Sequence, residues 1–289
     1  MRLSPFSLHR PRSVREASEL LSELGPGALP YCGGTELLLV AKLGLTDFTD
    51  LVDLKGIPDL SGIEANGDLR IGAATTHREI ERSPVVRSGW PSLADMERHV
   101  ANIRVRNVGT IGGNLCFADP HSDPATYLIA ANGSLIAGAG GEVRQIPAAE
   151  FTRGPYETTL AREELLLAIQ IPRERPGSAL VHRKMAFHER PAITVAANVT
   201  VRDGAVTEAR LAVGSVGVTA QRLMEAEQSL QGVGAARAGT AAVSECAEIA
   251  GQEVQPVEDA NGSVPYKRQL VRVLVTRCLG DALAQVTPA

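Results

Sequence analysis

Between Arg104 and Ala125 the chain reads RVRNVGTIGGNLCFADPHSDPA. Its centre, Gly109-Thr110-Ile111-Gly112-Gly113-Asn114, is expected to form a tight glycine turn. Missing Cβ atoms let backbone approach a ligand closely, and successive N–H groups in a tight turn cradle phosphate oxygens. Thr110 and Asn114 add side-chain donors, and Arg104 and Arg106 stand where they attract anions or form a solvated face. A second glycine turn, Gly33-Gly34-Thr35-Glu36, follows the short run Ala28-Leu29-Pro30-Tyr31-Cys32, which reads as a strand. Taken singly, a glycine pair is an ordinary turn. Two of them in adjacent lobes suit one diphosphate held between them.

Outward from these turns, punctuation places the other elements. Ser13-Val14-Arg15-Glu16 has the spacing of a capping box and opens a helix with Val14, Ala17, Leu20, Leu21 and Leu24 on one face, ended by Gly25. A helix is predicted from Glu36 to Lys42 and a strand over Asp50–Leu54, giving a βαβ-like first lobe. In the second lobe Leu69–Ala73 reads as a strand, and Thr76-x-x-Glu79 repeats the capping signature. Ser92 to Ile103 fits a helix with Leu93, Met96, Val100 and Ile103 inward. Strands at Ser134–Ala139 and Glu142–Ile146 flank Gly140-Gly141, and Leu165–Ile171 is closed by Pro172. The breaker-rich Arg173–Ser178 is the linker. Beyond it, Ala192–Arg202 and Ala205–Val213 meet at Asp203-Gly204, a hairpin signal. Helices are predicted at Ala220–Leu230, Ala235–Ala250 and Tyr266–Gln285.

Composition narrows the function. At roughly 100–200 residues per domain, 289 residues make two or three lobes. A net charge of −4, from 29 Lys+Arg and 33 Asp+Glu, gives no diffuse basic surface for nucleic acid, and 3% aromatics argues against a stacking platform for single strands. No run of about 18 apolar residues spans a membrane, and the start has no apolar segment ending in a cleavage site. A soluble intracellular protein is expected. Cys32, Cys116, Cys246 and Cys278 form no CxxC pair and the six histidines no HxxxH, so no metal is expected on this chain. GxxxxGK[ST] is absent; Gly25–Pro30 fails GxGxxG at its last glycine; there is no GxSxG elbow.

YCGGTELLLVAKLG (31–44) and RNVGTIGGNLCFADPHSDPA (106–125) resemble the two flavin-binding signatures of the FAD-binding (medium) subunits of molybdenum hydroxylases. That family includes the medium subunit of aerobic carbon monoxide dehydrogenase and the FAD domain of xanthine dehydrogenase. The likeness continues in order through EELLLAIQIP (163–172), HRKMAF (182–187), AQRLMEAEQSLQG (220–232) and YKRQLVRVLVTRCL (266–279). It implies an α+β fold: a two-lobed FAD-binding domain of the vanillyl-alcohol-oxidase/PCMH type over 1–175, with lobes about 1–56 and 57–175. A C-terminal domain of the carbon monoxide dehydrogenase flavoprotein type follows over 178–287, a small antiparallel sheet covered by helices.

The resemblance also implies FAD as cofactor and assigns its contacts. Cys32, Gly33, Gly34, Thr35 and Glu36 line one side of the diphosphate, and Thr110, Ile111, Gly112, Gly113 and Asn114 the other. Asp123 takes the ribityl or ribose portion, and Ala101 lets the cofactor pass close to its helix. Leu165 and Leu166 touch the flavin or adenine. Lys184 lies near the isoalloxazine, where a cation favours the anionic reduced ring. Cys32 departs from the alanine such subunits often carry. The implied partners are a large molybdenum-cofactor subunit and a small subunit with two [2Fe–2S] clusters, in a dimer of heterotrimers. The implied place is the cytoplasm, with partners able to hold the assembly at the inner face of the membrane. FAD is expected to be noncovalent and the only reactive group on the chain. A self-contained flavin oxidase of the same fold and a non-catalytic assembly module are the competing readings. The substrate and electron acceptor are not written in this chain.

Overall fold

A computed structural model describes residues 3–187, 190–234 and 241–286. The first lobe is a parallel three-stranded sheet. Strand β1 (Ser7–His9) leads to helix α1 (Val14–Leu24), β2 (Ala28–Tyr31), α2 (Leu37–Lys42) and β3 (Asp50–Asp53), with sheet order β1-β3-β2. The Ser13 hydroxyl caps α1 by accepting from the Glu16 amide at 3.2 Å. The Glu16 carboxylate reaches back to the Arg12 amide at 2.7 Å, one residue before the cap. Ala17 and Leu21 of α1 are buried with Val52, Ile57 and Leu165, which seats this lobe on the next.

The second sheet is antiparallel, in the order β4 (Ile63–Asn66), β5 (Asp68–Gly72), β10 (Leu165–Ile171), β6 (Ser134–Ala139), β7 (Glu142–Pro147). A run of short helices sits between β5 and β6: α3 (His77–Arg82), α4 (Pro84–Gly89), α5 (Pro91–Arg98), α6 (Ile103–Val108), α7 (Ile111–Phe117) and α8 (Asp123–Ala130). The short α9 (Ala148–Phe151) and the two-stranded ribbon β8 (Thr152–Gly154) and β9 (Glu157–Thr158) precede β10. Thr76 and Glu79 make a complete capping box on α3. The helix expected over Ser92–Ile103 is broken. Ala101 turns left-handed at φ 40°, and the Asn102 side chain accepts from the amides of Arg104 and Val105 to start α6. Ile103 consequently faces outward instead of into the core.

The third sheet runs β11 (Ser178–Ala186), β12 (Pro191–Arg202), β13 (Ala205–Gly214), β14 (Gln221–Arg222), all antiparallel. Asp203 (φ 51°) and Gly204 (φ 76°) turn the expected hairpin, both left-handed as a two-residue primed turn requires. Alternate residues of β12 serve two cores. Ile193, Val195, Ala197 and Val199 pack on α11 (Val243–Glu253) and α12 (Val264–Val286), whereas Ala196 joins the core beneath α8. Thr194 also faces α8, where its hydroxyl meets that of Thr126 at 2.8 Å. Burial on both faces explains why the strand reads as a nearly unbroken apolar run.

Two helix assignments shift. The segment expected to be helical over Ala220–Leu230 first forms β14 and becomes helix α10 only at Met224–Ser229. Of the helix expected over Ala235–Ala250, residues 235–240 lie outside the described residues, and α11 occupies Val243–Glu253. Among the described residues no helix is long and apolar enough to cross a membrane.

Candidate functional site

The two glycine stretches meet. A Cβ built on Gly33 falls 2.2 Å from the Val108 carbonyl oxygen and 2.6 Å from Gly109 Cα, so the first bend lies against the entry to the second with room for nothing larger than hydrogen. One built on Gly109 comes within 3.3 Å of the Thr35 hydroxyl. Gly34 is left-handed at φ 67°. Between the bends and the second sheet opens a cavity of about 390 Å³.

The bends differ in what they offer. Among the described residues, no hydrogen bond within the chain occupies the amides of Gly33, Gly34, Thr35 and Glu36. The second stretch is not a loop: Thr110 caps α7, whose first turn contains Gly112 and Gly113. Its amides are engaged: Ile111 to Thr75 O (3.1 Å), Gly112 to Ala73 O (2.9 Å), Gly113 to the Thr110 hydroxyl (3.0 Å) and Asn114 to Thr110 O (3.0 Å). Gly112 is needed for packing, since a Cβ there falls 2.5 Å from Ala73 O. The successive free amides expected of both turns therefore exist in the first. The second presents its side chains, Thr110 and Asn114, and a surface without Cβ atoms at Gly113.

Of the residues expected at the cofactor, Cys32, Gly33, Gly34, Thr35, Glu36, Ala101, Thr110, Gly112, Gly113, Asn114, Leu165 and Leu166 line the cavity. Ile111 is fully buried in the second core and does not. Asp123 and Lys184 stand apart, joined at 2.8 Å, with the lysine also donating to the His99 carbonyl oxygen directly before the lining residues Val100 and Ala101. Asp123 does not cap α8, which is capped by Ser122. Burial pushes the Asp123 carboxyl up, only partly offset by the Lys184 cation, and among the described residues its Oδ1 has no hydrogen-bond partner, with His182 Nε2 3.8 Å away. Lys184 borders a second hollow of about 300 Å³ with His99 and His182.

The cavity suits a long ligand with an anionic middle and apolar ends. Unengaged amides and the Thr35, Thr110 and Asn114 side chains can receive phosphate oxygens, and Leu54, Leu60, Val105, Leu165 and Leu166 supply apolar walls. Its thiols stay protonated: burial pushes Cys32 up to about 11, although Thr110 bonds it, and Cys116 up to about 12. Cys116 is exposed and is one of the residues lining this recess. Two contributors escaped the sequence reading. His77, at the first position of α3, lines the cavity and is bonded to buried Glu97. Arg190 joins Glu36 at 2.8 Å and Asp119, across the cavity's outer edge. His77 was visible only as the residue after a cap, and Arg190 as one charge in a polar loop.

Comparison with known proteins agrees with this geometry. Residues 4–174 match the family described as the FAD binding domain in molybdopterin dehydrogenase, and 183–282 the CO dehydrogenase flavoprotein C-terminal domain. The chain is 31% identical to the carbon monoxide dehydrogenase medium chain of Hydrogenophaga pseudoflava, covering 97% of this chain and 98% of that one. It is 30% identical to the nicotine 6-hydroxylase medium subunit of Paenarthrobacter nicotinovorans, over 99% of this chain and 100% of the relative. In structure it resembles a chain of carbon monoxide dehydrogenase from Hydrogenophaga pseudoflava with a TM-score of 0.95 and 32% identity, covering 99% of this chain and 100% of that one.

Proposed function

The chain belongs to the family of FAD-binding subunits of molybdopterin dehydrogenases, and on that premise we propose that it is the electron-transferring chain of a multi-subunit molybdenum hydroxylase. It is an oxidoreductase subunit and its cofactor is FAD. Its electrons come from two [2Fe–2S] clusters on a small partner subunit, supplied in turn by a large molybdenum-cofactor subunit, and leave to a quinone, NAD or oxygen. The assembly is a dimer of heterotrimers in the cytoplasm. Within the chain, residues 1–175 form the two-lobed FAD domain of the PCMH type and 178–287 the C-terminal domain.

The observation that carries this reading is the junction of the two bends, with unengaged amides on one side of a cavity walled by apolar residues. FAD, when bound, accepts electrons singly and releases them in pairs. The chain's own work is to hold it. The amides of Gly33, Gly34, Thr35 and Glu36 take one face of the diphosphate; the Thr110 and Asn114 side chains take the other. Ala101, Leu165 and Leu166 exclude water from the rings. The Lys184–Asp123 pair, outside the lining residues, keeps a cation fixed behind the Val100–Ala101 wall. Neither bend brings a His to the ring, so the cofactor is held without a covalent link.

The test is isolation of the complex from its native host. One noncovalent FAD per chain is expected, released wholly to the supernatant on denaturing precipitation, and rapid flavin bleaching by substrate only while the iron–sulfur and molybdenum chains are present. Bleaching of equal speed in the isolated chain would make it a self-contained oxidase and overturn the proposal.

A further inference from the structure

A diphosphate brings two negative charges into a recess of low polarity, and uncompensated buried charge is costly. Among the described lining residues only two are bases, His77 and Arg162. Arg162 is exposed at the edge. Lys55, near the first bend, is turned outward onto Cys32 O, Asp53 and the Tyr31 ring. His77 stands where the bends meet. Its amide donates to Gly109 O at 3.1 Å, and its ring carbon Cδ2 would lie 3.5 Å from a Cβ on Gly109, the residue that Gly33 abuts. The ring is only 2% exposed, and Nδ1 lies 2.7 Å from the carboxylate of Glu97, which is wholly buried. Nε2 is its one polar atom without a partner in the described chain.

Resting on the FAD reading, we propose that His77 is a phosphate-binding residue of this cavity, and that binding of FAD adds a proton to it. Glu97 is a positioning residue: accepting from Nδ1–H, it fixes the ring and directs Nε2 away from itself. With Nε2 bare, the His77–Glu97 pair carries one negative charge and repels an anion. With Nε2 protonated the pair is neutral and offers a charged donor to a phosphate oxygen. The added proton comes from solvent and is returned when FAD leaves.

The other charges around His77 are already committed. From α6, Arg106 is held by Glu81 (3.2 Å) and Val100 O (2.9 Å); on α3 itself Arg78 pairs with Glu81 and Glu79 closes the cap. On α5, Asp95 pairs with Arg98 on the surface, and from α4 Arg87 bonds Glu81 O. Asp123 of α8, which lies close enough to sense the charge on His77, is paired with Lys184. Cys32 and Cys116 stay neutral. His77 thus keeps a ring nitrogen that no other described group engages.

The experiment is calorimetric titration of FAD into the cofactor-free full chain, in buffers of differing ionisation enthalpy, between about pH 6 and about pH 9. FAD itself neither gains nor loses a proton in that range. The wild-type chain should take up as much as one proton per FAD at its steepest point, where affinity falls about tenfold per pH unit. His77→Gln alone strands the Glu97 charge, so the decisive variant is His77→Gln with Glu97→Gln, which leaves a neutral pair. It should still bind FAD, about tenfold or more weakly, with no proton uptake and an affinity flat in pH. Uptake unchanged in the double variant, or absent in a wild-type chain that binds FAD, overturns this assignment alone. A wild-type chain that binds no FAD overturns the cavity reading and the assignment with it.

Discussion

The two glycine bends look alike in sequence and differ in their backbone bonds. Gly33-Gly34-Thr35-Glu36 spans strand β2 to helix α2 with amides unengaged; Gly109–Asn114 enters α7 with its amides bonded to Thr75, Ala73 and Thr110. The glycines answer different needs. Gly33 has no Cβ because another segment of backbone, the second bend, occupies that space; Gly112 has none because strand-end residue Ala73 does. One bend is kept open for a ligand, and the other is the anvil it is held against. Phosphate recognition by backbone needs only one set of free amides when the opposite wall supplies side-chain donors.

This contrast is breakable. Gly33→Ala has the largest expected effect on the cofactor: the new methyl must push the first bend off Val108 and Gly109. The half-buried bend can yield, and what it gives up is the ligand site. We expect FAD affinity to drop by at least about a hundredfold, near 3 kcal/mol, with a smaller loss of stability. Gly112→Ala should invert that ratio. Ala73 O and its Cβ leave the methyl no exit within a buried helix start, so unfolding stability should fall by about 2–3 kcal/mol. The folded fraction should bind FAD within about tenfold of wild type. Urea unfolding of the cofactor-free chain and fluorescence titration with FAD separate the two quantities. Equal losses of affinity in both variants would break the distinction between open bend and anvil.

The signal that made both bends legible is local: glycine pairs beside donors, in strings that resemble one family over most of the chain. So were Ser13, the Thr76–Glu79 cap and the Asp203-Gly204 hairpin, whose chemistry lies within four residues. What escaped is non-local. Ala101 adopts a left-handed backbone that alanine does not favour on its own, so an apolar pattern running smoothly from Leu93 to Ile103 concealed an interruption of the helix. The capping role of Thr110 makes Gly112 and Gly113 helical against their propensity. His77 and Glu97 lie on different helices, and neither position alone speaks of a buried pair. Lys267 reads in sequence as one more cation on the predicted C-terminal helix. It is buried, with its ammonium bonded to Val257 O (2.7 Å) and Asp259 (2.8 Å).

The smallest effect tests what keeps the open bend in place. Arg190 reaches from the residue before β12 to Glu36 at the end of the first bend and to Asp119 just beyond α7, so one guanidinium ties the open bend to the helix of the other. Burial raises both carboxyls. For Asp119 the hydrogen bonds from His121 and the Arg190 charge win, and it rests below the usual carboxylate range. For Glu36 burial wins over Arg190, and it rests above. The signs follow. The Asp119 arm contributes fully at neutral pH and is lost as pH falls through its lowered value; Glu36, proton-binding in the fold, is favoured on acidification and loses that advantage as pH rises. Arg190 is half exposed, so screening limits the tie to less than about 1 kcal/mol. Arg190→Ala should therefore speed FAD release several-fold, measured by chase with excess unlabelled cofactor. The gap to wild type should narrow at high salt, where the ion pairs are screened, and again in acid below the usual carboxylate range, where Asp119 takes up its proton. Release as slow as wild type at low salt would mean that the open bend holds its shape without the tie.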